Sequence, residues 1–428
     1  MRRTSVELFA GGGGLVQAAT KAGFRHLLLN EFAPHACDTL KANLFARYEE
    51  GERPPVPEPG GPVPFVAGDV RKLDMEYLRE REVDLLAGGP PCQPFSLGGV
   101  AKGDEDQRNM FPEMFRAVRE IRPKAVICEN VVGLLRPSFA PYFQYIQREL
   151  MLPFVERPEG TDWKSHDRTL QQMLEAGDTD PSKRYRVLQM RVNAADYGVP
   201  QVRNRVILVA FRADLGIDMK AFERSVQPTH SRALLIRALR DGSYWEGRET
   251  VKKHVRDRVM ARYADELPFE EPSADGDRGR FRWLTLRDAI HGLPRIDLEL
   301  LDKKTPQGGW PDHIGWPGAR IYKGHTPNEL DSPAKTVKAG VHGVPGGESV
   351  MLLDDRVRDA DEPGGYRHLH RYMTVRETAR VMTFGDEWRL SGPRGERMRQ
   401  LGNAVPVRLG EAFAKAVSEA LDGMESRS

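Results

Sequence analysis

The chain is poor in several features that would narrow its class at once. Only three of its 428 residues are cysteine (Cys37, Cys92 and Cys128), and none stands in a C-x-x-C or Cys/His spacing. Neither a disulfide framework nor a zinc site is therefore expected, and a reducing, cytoplasmic compartment is. No run approaches the roughly 20 apolar residues of a membrane span. The start, Met1-Arg2-Arg3-Thr4-Ser5-Val6-Glu7, meets glycines after one short apolar stretch, unlike a secretory leader. An excess of one charge sign is missing too. With 64 Lys+Arg against 62 Asp+Glu, any surface for a polyanion has to be local. There is no internal repeat, and no Gly-Lys-Ser/Thr follows the early glycine run, which disfavours a nucleoside-triphosphate loop.

What is present is enough apolar residue, 39%, for one large or two medium cores. Short apolar runs at 6–9, 26–30, 64–66, 83–87 and 125–128 read as strands, separated by helix-like spacing at 14–22, 33–44 and 110–121. This alternation predicts an α/β fold with a doubly wound, mostly parallel sheet, whose ligands sit beyond the carboxyl ends of the strands. Two later runs, 186–192 and 206–211, extend it. The Pro-rich stretch 53–62 reads as a surface loop, and 158–182 as an irregular insertion. Beyond 211 the periodicity weakens and acids cluster between Asp265 and Asp277. Thr374 and Glu377 have capping-box spacing, and 407–421 reads as an amphipathic helix. Three parts are expected: a first domain 1–211, a smaller irregular domain 212–372, and a tail 373–428 that packs back on the first.

The residues able to do chemistry fall at expected strand ends. Phe9-Ala10-Gly11-Gly12-Gly13-Gly14 follows the first strand and opens a helix, where glycines let a ligand approach the positive helix end; a tight turn in any α/β protein would look the same. The second strand ends in Asn30-Glu31-Phe32, a carboxylate for ribose hydroxyls beside a ring able to stack on adenine. The third ends in Gly68-Asp69-Val70, whose carboxylate suits an adenine amino group. Either acid alone also fits a solvated turn. The fourth ends in Gly88-Gly89-Pro90-Pro91-Cys92-Gln93-Pro94-Phe95-Ser96. Its glycines and prolines oppose a regular buried element and favour Cys92 as an exposed nucleophile over a core thiol. Cys37, on a helix, and Cys128, in a strand, fit the core instead. Glu129-Asn130-Val131 ends the fifth strand, where a buried glutamate could donate a proton to a ring nitrogen while the sulfur attacks the ring. In Gln201-Val202-Arg203-Asn204-Arg205 alternation would project both arginines to one side, for carbonyl or phosphate oxygens or as a solvated basic edge.

In their order and spacing these blocks resemble the DNA cytosine-5 methyltransferases over nearly the whole chain, closing with Arg376-Glu377-Thr378-Ala379-Arg380-Val381-Met382 and Gly402-Asn403-Ala404-Val405-Pro406. The resemblance implies a Rossmann-like methyltransferase domain with a target-recognition domain, and S-adenosylmethionine held by Phe9, Gly11, Gly13, Glu31, Phe32, Asp69, Val70, Pro91, Asn403 and Val405. It makes Cys92 the nucleophile, Glu129 the partner of cytosine N3 and its amino group, Arg205 a contact to the base carbonyl, and Arg203 a support of the site. No metal is implied. Gly98 to Phe111, carrying Lys102 and Arg108, matches the family's loop over flipped DNA, and Ser96 is a further expected DNA contact. Phe32 departs from the tryptophan often found there, a change that keeps stacking.

Within the middle region, residues 224–262 hold ten Lys+Arg against four acids, a local +6. Arg237, Arg240, Lys252 and Lys253, with Tyr244 and Trp245 among them, form the best stretch for duplex DNA, with a solvated helical face as the plain competitor. The family's tRNA-modifying branch carries a Cys-Phe-Thr motif, and this chain has no cysteine after Cys128, so DNA is the expected substrate. A restriction-modification setting, a partner endonuclease for the same site and a monomeric chain complete the expectations.

Overall fold

The computed structural model describes residues 3–43, 45–91, 109–177, 179–264, 278–303, 305–321, 323, 326–339, 349–362 and 364–425. The chain divides into two compact units, 1–192 with 204–227 and 410–428, and 193–203 with 228–409.

In the first unit the elements run β1 (Thr4–Leu8), α1 (Gly14–Lys21), β2 (Arg25–Glu31), α2 (Pro34–Ala42), β3 (Ala46–Glu49), β4 (Pro64–Ala67), β5 (Leu85–Gly88), α3 (Phe111–Ile121), β6 (Ala125–Val131), α4 (Ala140–Met151), α5 (Trp163–Ala176), β7 (Tyr185–Asn193), β8 (Asn204–Arg212) and α6 (Met219–Ser225). The strands form one sheet in the order β3-β4-β2-β1-β5-β6-β8-β7. Pairing is parallel from β3 through β6, and β8 lies antiparallel to β6. Strands β1, β2, β5 and β6 are buried almost end to end, as parallel strands covered on both faces must be. Helix α3 shows how the cover forms: Phe111, Met114, Phe115, Val118 and Ile121 recur at helical spacing and are buried against the sheet.

All seven expected strands are present, with ends that move by a few residues. The edge strand β3 was hidden by its charged sequence, Ala46-Arg47-Tyr48-Glu49. The stretch 158–182 is a correction: it is no irregular insertion but holds the fourteen-residue α5. Asp162 starts that helix by accepting from the N–H groups of Lys164 and Ser165, and Gly177, at φ 69°, ends it.

Helices α4 and α5 enclose a carboxyl group with a measurable consequence. Burial pushes Glu149 up to about 7, against the pull of the Tyr145 hydroxyl and of Arg157 and Arg119, with Asp167 adding to the rise. A carboxyl raised in the folded state contributes stability that is full below its unfolded value, near 4.5, and lost as the pH climbs through about 7. Glu149→Gln is therefore expected to be more stable than the parent at about pH 8, by roughly 2 kcal/mol, with a smaller gain near pH 5. Thermal melts at the two pH values check it.

The second unit holds β9 (His230–Ser231), α7 (Arg232–Asp241), α8 (Lys253–Ala264), β10 (Phe281–Arg282), α9 (Leu286–Ile290), β11 (Val350–Arg358), β12 (Tyr366–Tyr372), α10 (Val375–Val381) and α11 (Arg394–Asn403); α12 (Val407–Glu425) belongs with the first unit from Gly410 on. Its core gathers Leu235, Leu239, Tyr244, Trp245, Val255, Val259, Tyr263 and Trp283. The expected boundaries at 211 and 372 are not those of the units. Residues 212–227 stay with the first and 373–409 group with the second. One cause is a buried ion pair: Arg371 at the end of β12 grips Glu377 of α10 with Nη1···Oε2 2.7 Å and Nη2···Oε1 2.6 Å. Glu377 and Thr374 also form the expected capping box. Among the described residues no helix is long and apolar enough to cross a membrane.

Candidate active site

The sheet order sets the carboxyl ends of β4, β2, β1, β5 and β6 side by side, and the five blocks singled out in the sequence follow or end these strands. Each turn at this edge is fastened to its neighbour. The Ala10 N–H donates to the Asn30 carbonyl at 2.9 Å, and the Gly68 N–H to that of Glu31 at 2.9 Å. The buried Asn30 amide donates to the Val66 and Gly68 carbonyls, at 3.1 and 3.0 Å. Asn130, also buried, donates to the Pro90 carbonyl at 3.0 Å. Neither asparagine had a role in the sequence reading, although an amide beside an acid at two strand ends was a visible signal.

At the tip of β1, Phe9 takes a left-handed φ of 57° and Gly11 one of 55°, and Gly13, at 90°, precedes α1. A non-glycine residue there stores roughly 1–3 kcal/mol of strain, which the surrounding bonds hold in place. Glu31 fastens the glycine that follows the turn's Ala10. Its Oε2 accepts from the Gly11 N–H at 2.6 Å, and its Oε1 from those of Phe32 and Ala33, at 2.9 and 2.6 Å. Burial raises the Glu31 carboxyl and the three N–H donors oppose it. The next residue, Phe32, leaves 73% of its surface exposed. A large apolar ring in water above a buried acid is a ready face for a flat aromatic ligand.

Asp69 is already paired. Its carboxylate already accepts from the Arg71 guanidinium and N–H, which holds it below the usual carboxylate range. An amino group arriving there has to share or displace Arg71. Glu50, which the sequence reading missed because it follows the unrecognised β3, accepts from the Asp69 N–H at 3.0 Å and from Lys72 Nζ at 2.6 Å. Val70 is buried in the core, so any contact it makes with a ligand is through its backbone.

Cys92 lies outside the described residues, as do Ser96, Lys102 and Arg108. The turn before Cys92 is described and sits beside Glu129: a Cβ on Gly89 would stand 3.6 Å from Glu129 Oε2. Arg205 Nε reaches Glu129 Oε1 at 2.6 Å, an ion pair whose angles fall outside those of a hydrogen bond. Both side chains are about nine-tenths buried. A carboxylate, a guanidinium and a proline-fixed turn thus meet at one point of the edge. The other cysteines cannot serve: Cys37 and Cys128 are buried, and burial pushes each thiol up to about 12.

Arg203 immediately precedes β8 and belongs to the second unit. Fully buried, it donates to the carbonyls of Val337, Gly402 and Ala404 at 2.7, 2.8 and 3.0 Å. Gln201 beside it accepts from the Val337 N–H at 3.0 Å. Gly402 leaves no room for a side chain, since a Cβ would stand 2.3 Å from the Ala339 nitrogen. This junction belongs to the second unit, with Asn403, which is exposed, and Val405, which is buried.

Arg237 and Arg240 on α7, Lys252 just before α8 and Lys253 at its start are exposed, and Lys253 pairs with Asp257 at 2.8 Å. Tyr244 and Trp245 are buried instead of presented to a partner. The Tyr244 ring carries the guanidinium groups of Arg248 and Arg282, at 4.3 and 5.0 Å from its centre, and its hydroxyl donates to Asp331 at 2.9 Å.

A family model for C-5 cytosine-specific DNA methylases matches residues 3–151 and 160–419. The Type II methyltransferase M.Eco47II of Escherichia coli is 31% identical, over 99% of this chain and 81% of that protein. M.NgoMIV of Neisseria gonorrhoeae is 28% identical, over 98% and 99%. Among solved structures, the S. pombe Dnmt2 methyltransferase matches with a TM-score of 0.51 at 15% identity, covering 98% of this chain and 100% of that one, a likeness of fold alone.

Proposed function

The chain belongs to the C-5 cytosine-specific DNA methylases, and on that premise we propose that it methylates C5 of a cytosine turned out of a specific duplex DNA sequence, through a covalent bond between Cys92 and C6. The observation that carries the reading is the Glu129–Arg205 pair set against the turn that leads into Cys92.

The donor is S-adenosylmethionine, which when bound supplies an electrophilic methyl carbon. The residues of the edge fit such a molecule. Phe32 offers a stacking face and Gly11 a close backbone approach. Oxygens of Glu31 keep acceptor capacity beyond their three backbone bonds. The positive end of α1 suits a carboxylate. Asp69 and the backbone of Val70 would hold an adenine edge once Arg71 gives way, and Pro91 would close the pocket beside the reacting base. Asn403 and Val405 keep the role that the family resemblance gives them.

The chemistry requires the residue types at the Glu129 end. Cytosine C5 is a weak nucleophile until a thiolate adds at C6, which makes the ring enamine-like. Cys92 forms that bond; C5 would then bond the methyl carbon as its bond to the sulfonium breaks and leaves a neutral thioether, and loss of the C5 proton with elimination of the Cys92 thiolate would restore the aromatic ring. Glu129 holds the N3 and amino edge, and Arg205, already on the carboxylate, holds the base carbonyl. None of this is possible inside a stacked duplex, so the base must be extruded, at a cost of a few kcal/mol. Arg237, Arg240, Lys252 and Lys253 are proposed phosphate contacts. In a restriction-modification setting a monomer of this chain would protect sites that a partner endonuclease cuts.

Purified protein with labelled donor and duplex DNA is expected to transfer label to one cytosine per site, located by base-resolution mapping. Label found in tRNA and none in DNA would overturn the substrate.

A further inference from the structure

The segment that opens with Cys92 has a described residue at each foot, and the two feet are tied: the Met110 N–H donates to the Pro91 carbonyl at 3.3 Å. Behind the second foot stands the buried Asn109. Its Oδ1 accepts from the Phe111 N–H at 3.3 Å, and its Nδ2 donates to the Tyr142 hydroxyl at 2.6 Å. Tyr142 is buried on α4, and Trp163, the first residue of α5, meets its ring edge-on, with centres 5.2 Å apart and planes at 82°. Trp163 also lies against Tyr145, at 5.6 Å, whose hydroxyl meets His166 Nδ1 at 3.0 Å. A line of contact thus runs from the unexpected helix α5 through α4 to the residue before Cys92.

We infer that Asn109, Tyr142 and Trp163 are positioning residues, through which α5 fixes Pro91 and so the thiol that follows it. The inference rests on the reading of Cys92 as the nucleophile. Two features set this line apart from ordinary packing. The contact that reaches the foot is a short polar bond in a buried place, where a missing partner has no water to replace it. Its geometry is also directional, whereas a ring that only fills space needs no hydroxyl. Misplacing a reacting group by about 1 Å costs on the order of a hundredfold in rate.

Tyr142→Phe is the decisive variant, because it keeps the ring and removes only the oxygen. With a duplex carrying 5-fluorocytosine at the mapped target, the parent protein is expected to form a covalent complex. Tyr142→Phe and Asn109→Ala should each form it about tenfold more slowly or worse, with KM for the methyl donor within about twofold. The double variant should be no slower than the slower single one, since both remove one bond. Ile146→Val, on the same helix, is the stability control: an equal or larger drop in melting temperature with an unchanged trapping rate is expected. Trapping at the parental rate in Tyr142→Phe and Asn109→Ala overturns the inference alone, as does a loss in Ile146→Val that matches theirs. A parent protein that is never trapped removes the Cys92 reading, and the inference with it.

Discussion

Cys92→Ser is expected to bind the methyl donor as the parent does and to lose turnover by at least about 10,000-fold. A serine hydroxyl at that place is almost wholly protonated near neutral pH and adds poorly to a conjugated ring, whereas a thiol gives a useful fraction of thiolate. No other sulfur can take over. The thiols of Cys37 and Cys128 are buried and pushed up to about 12, so neither is a thiolate at working pH. The bonds that shape the donor's side of the edge, from Glu31 to Gly11, Phe32 and Ala33, do not involve residue 92. Calorimetry with the donor and initial rates with duplex DNA separate the two effects. A rate within tenfold of the parent would remove Cys92 from the chemistry.

Arg203→Ala has the largest expected effect on stability. The substitution strands three carbonyl groups, those of Val337, Gly402 and Ala404, and leaves a cavity the size of a guanidinium. Each buried acceptor left unpaired costs about 1–3 kcal/mol, so a loss of about 3–5 kcal/mol is expected. Arg203→Lys should recover little, because one ammonium cannot address three acceptors with the spread of a planar fork. Arg205→Ala is expected to act differently. It removes the guanidinium beside Glu129, so methyl transfer should fall a hundredfold or more with a smaller loss of stability. Urea unfolding read against methyl-transfer rates distinguishes them. A loss under about 1 kcal/mol for Arg203→Ala, with activity gone, would make its role one of support for the reacting site rather than of stability.

This contrast marks where the sequence stops being legible. Strand ends were readable because parallel strands are short apolar runs punctuated by glycine, and their chemistry sits at the punctuation. Glu31, Glu129 and the Gly88–Pro91 turn could be placed on one edge for that reason. Arg203 could not, since its acceptors lie 134 and 199 residues further on, at Val337 and Gly402, and no local pattern encodes such a meeting. Tyr244 and Trp245 misled for a related cause. A count of charge along 224–262 does not say which face each residue occupies, and the aromatics turn inward while Arg237, Arg240, Lys252 and Lys253 stay out. Helix α5 was obscured by its polar surface: Trp163, His166, Leu170 and Met173 keep the helical period, but prolines and glycines around them read as punctuation. The tail taught the same lesson at larger scale, for the Arg371–Glu377 pair binds α10 to the strand before it.

The sideways fastening of the turns has a consequence for how the chain tolerates change. Asn30 belongs to β2 but anchors the loop after β4, and Asn130 belongs to β6 but anchors the one after β5. Lengthening any of these strands by one residue would carry its amide out of reach and unseat the turn next door. Insertions and deletions near this rim should therefore be felt one strand away from where they are made.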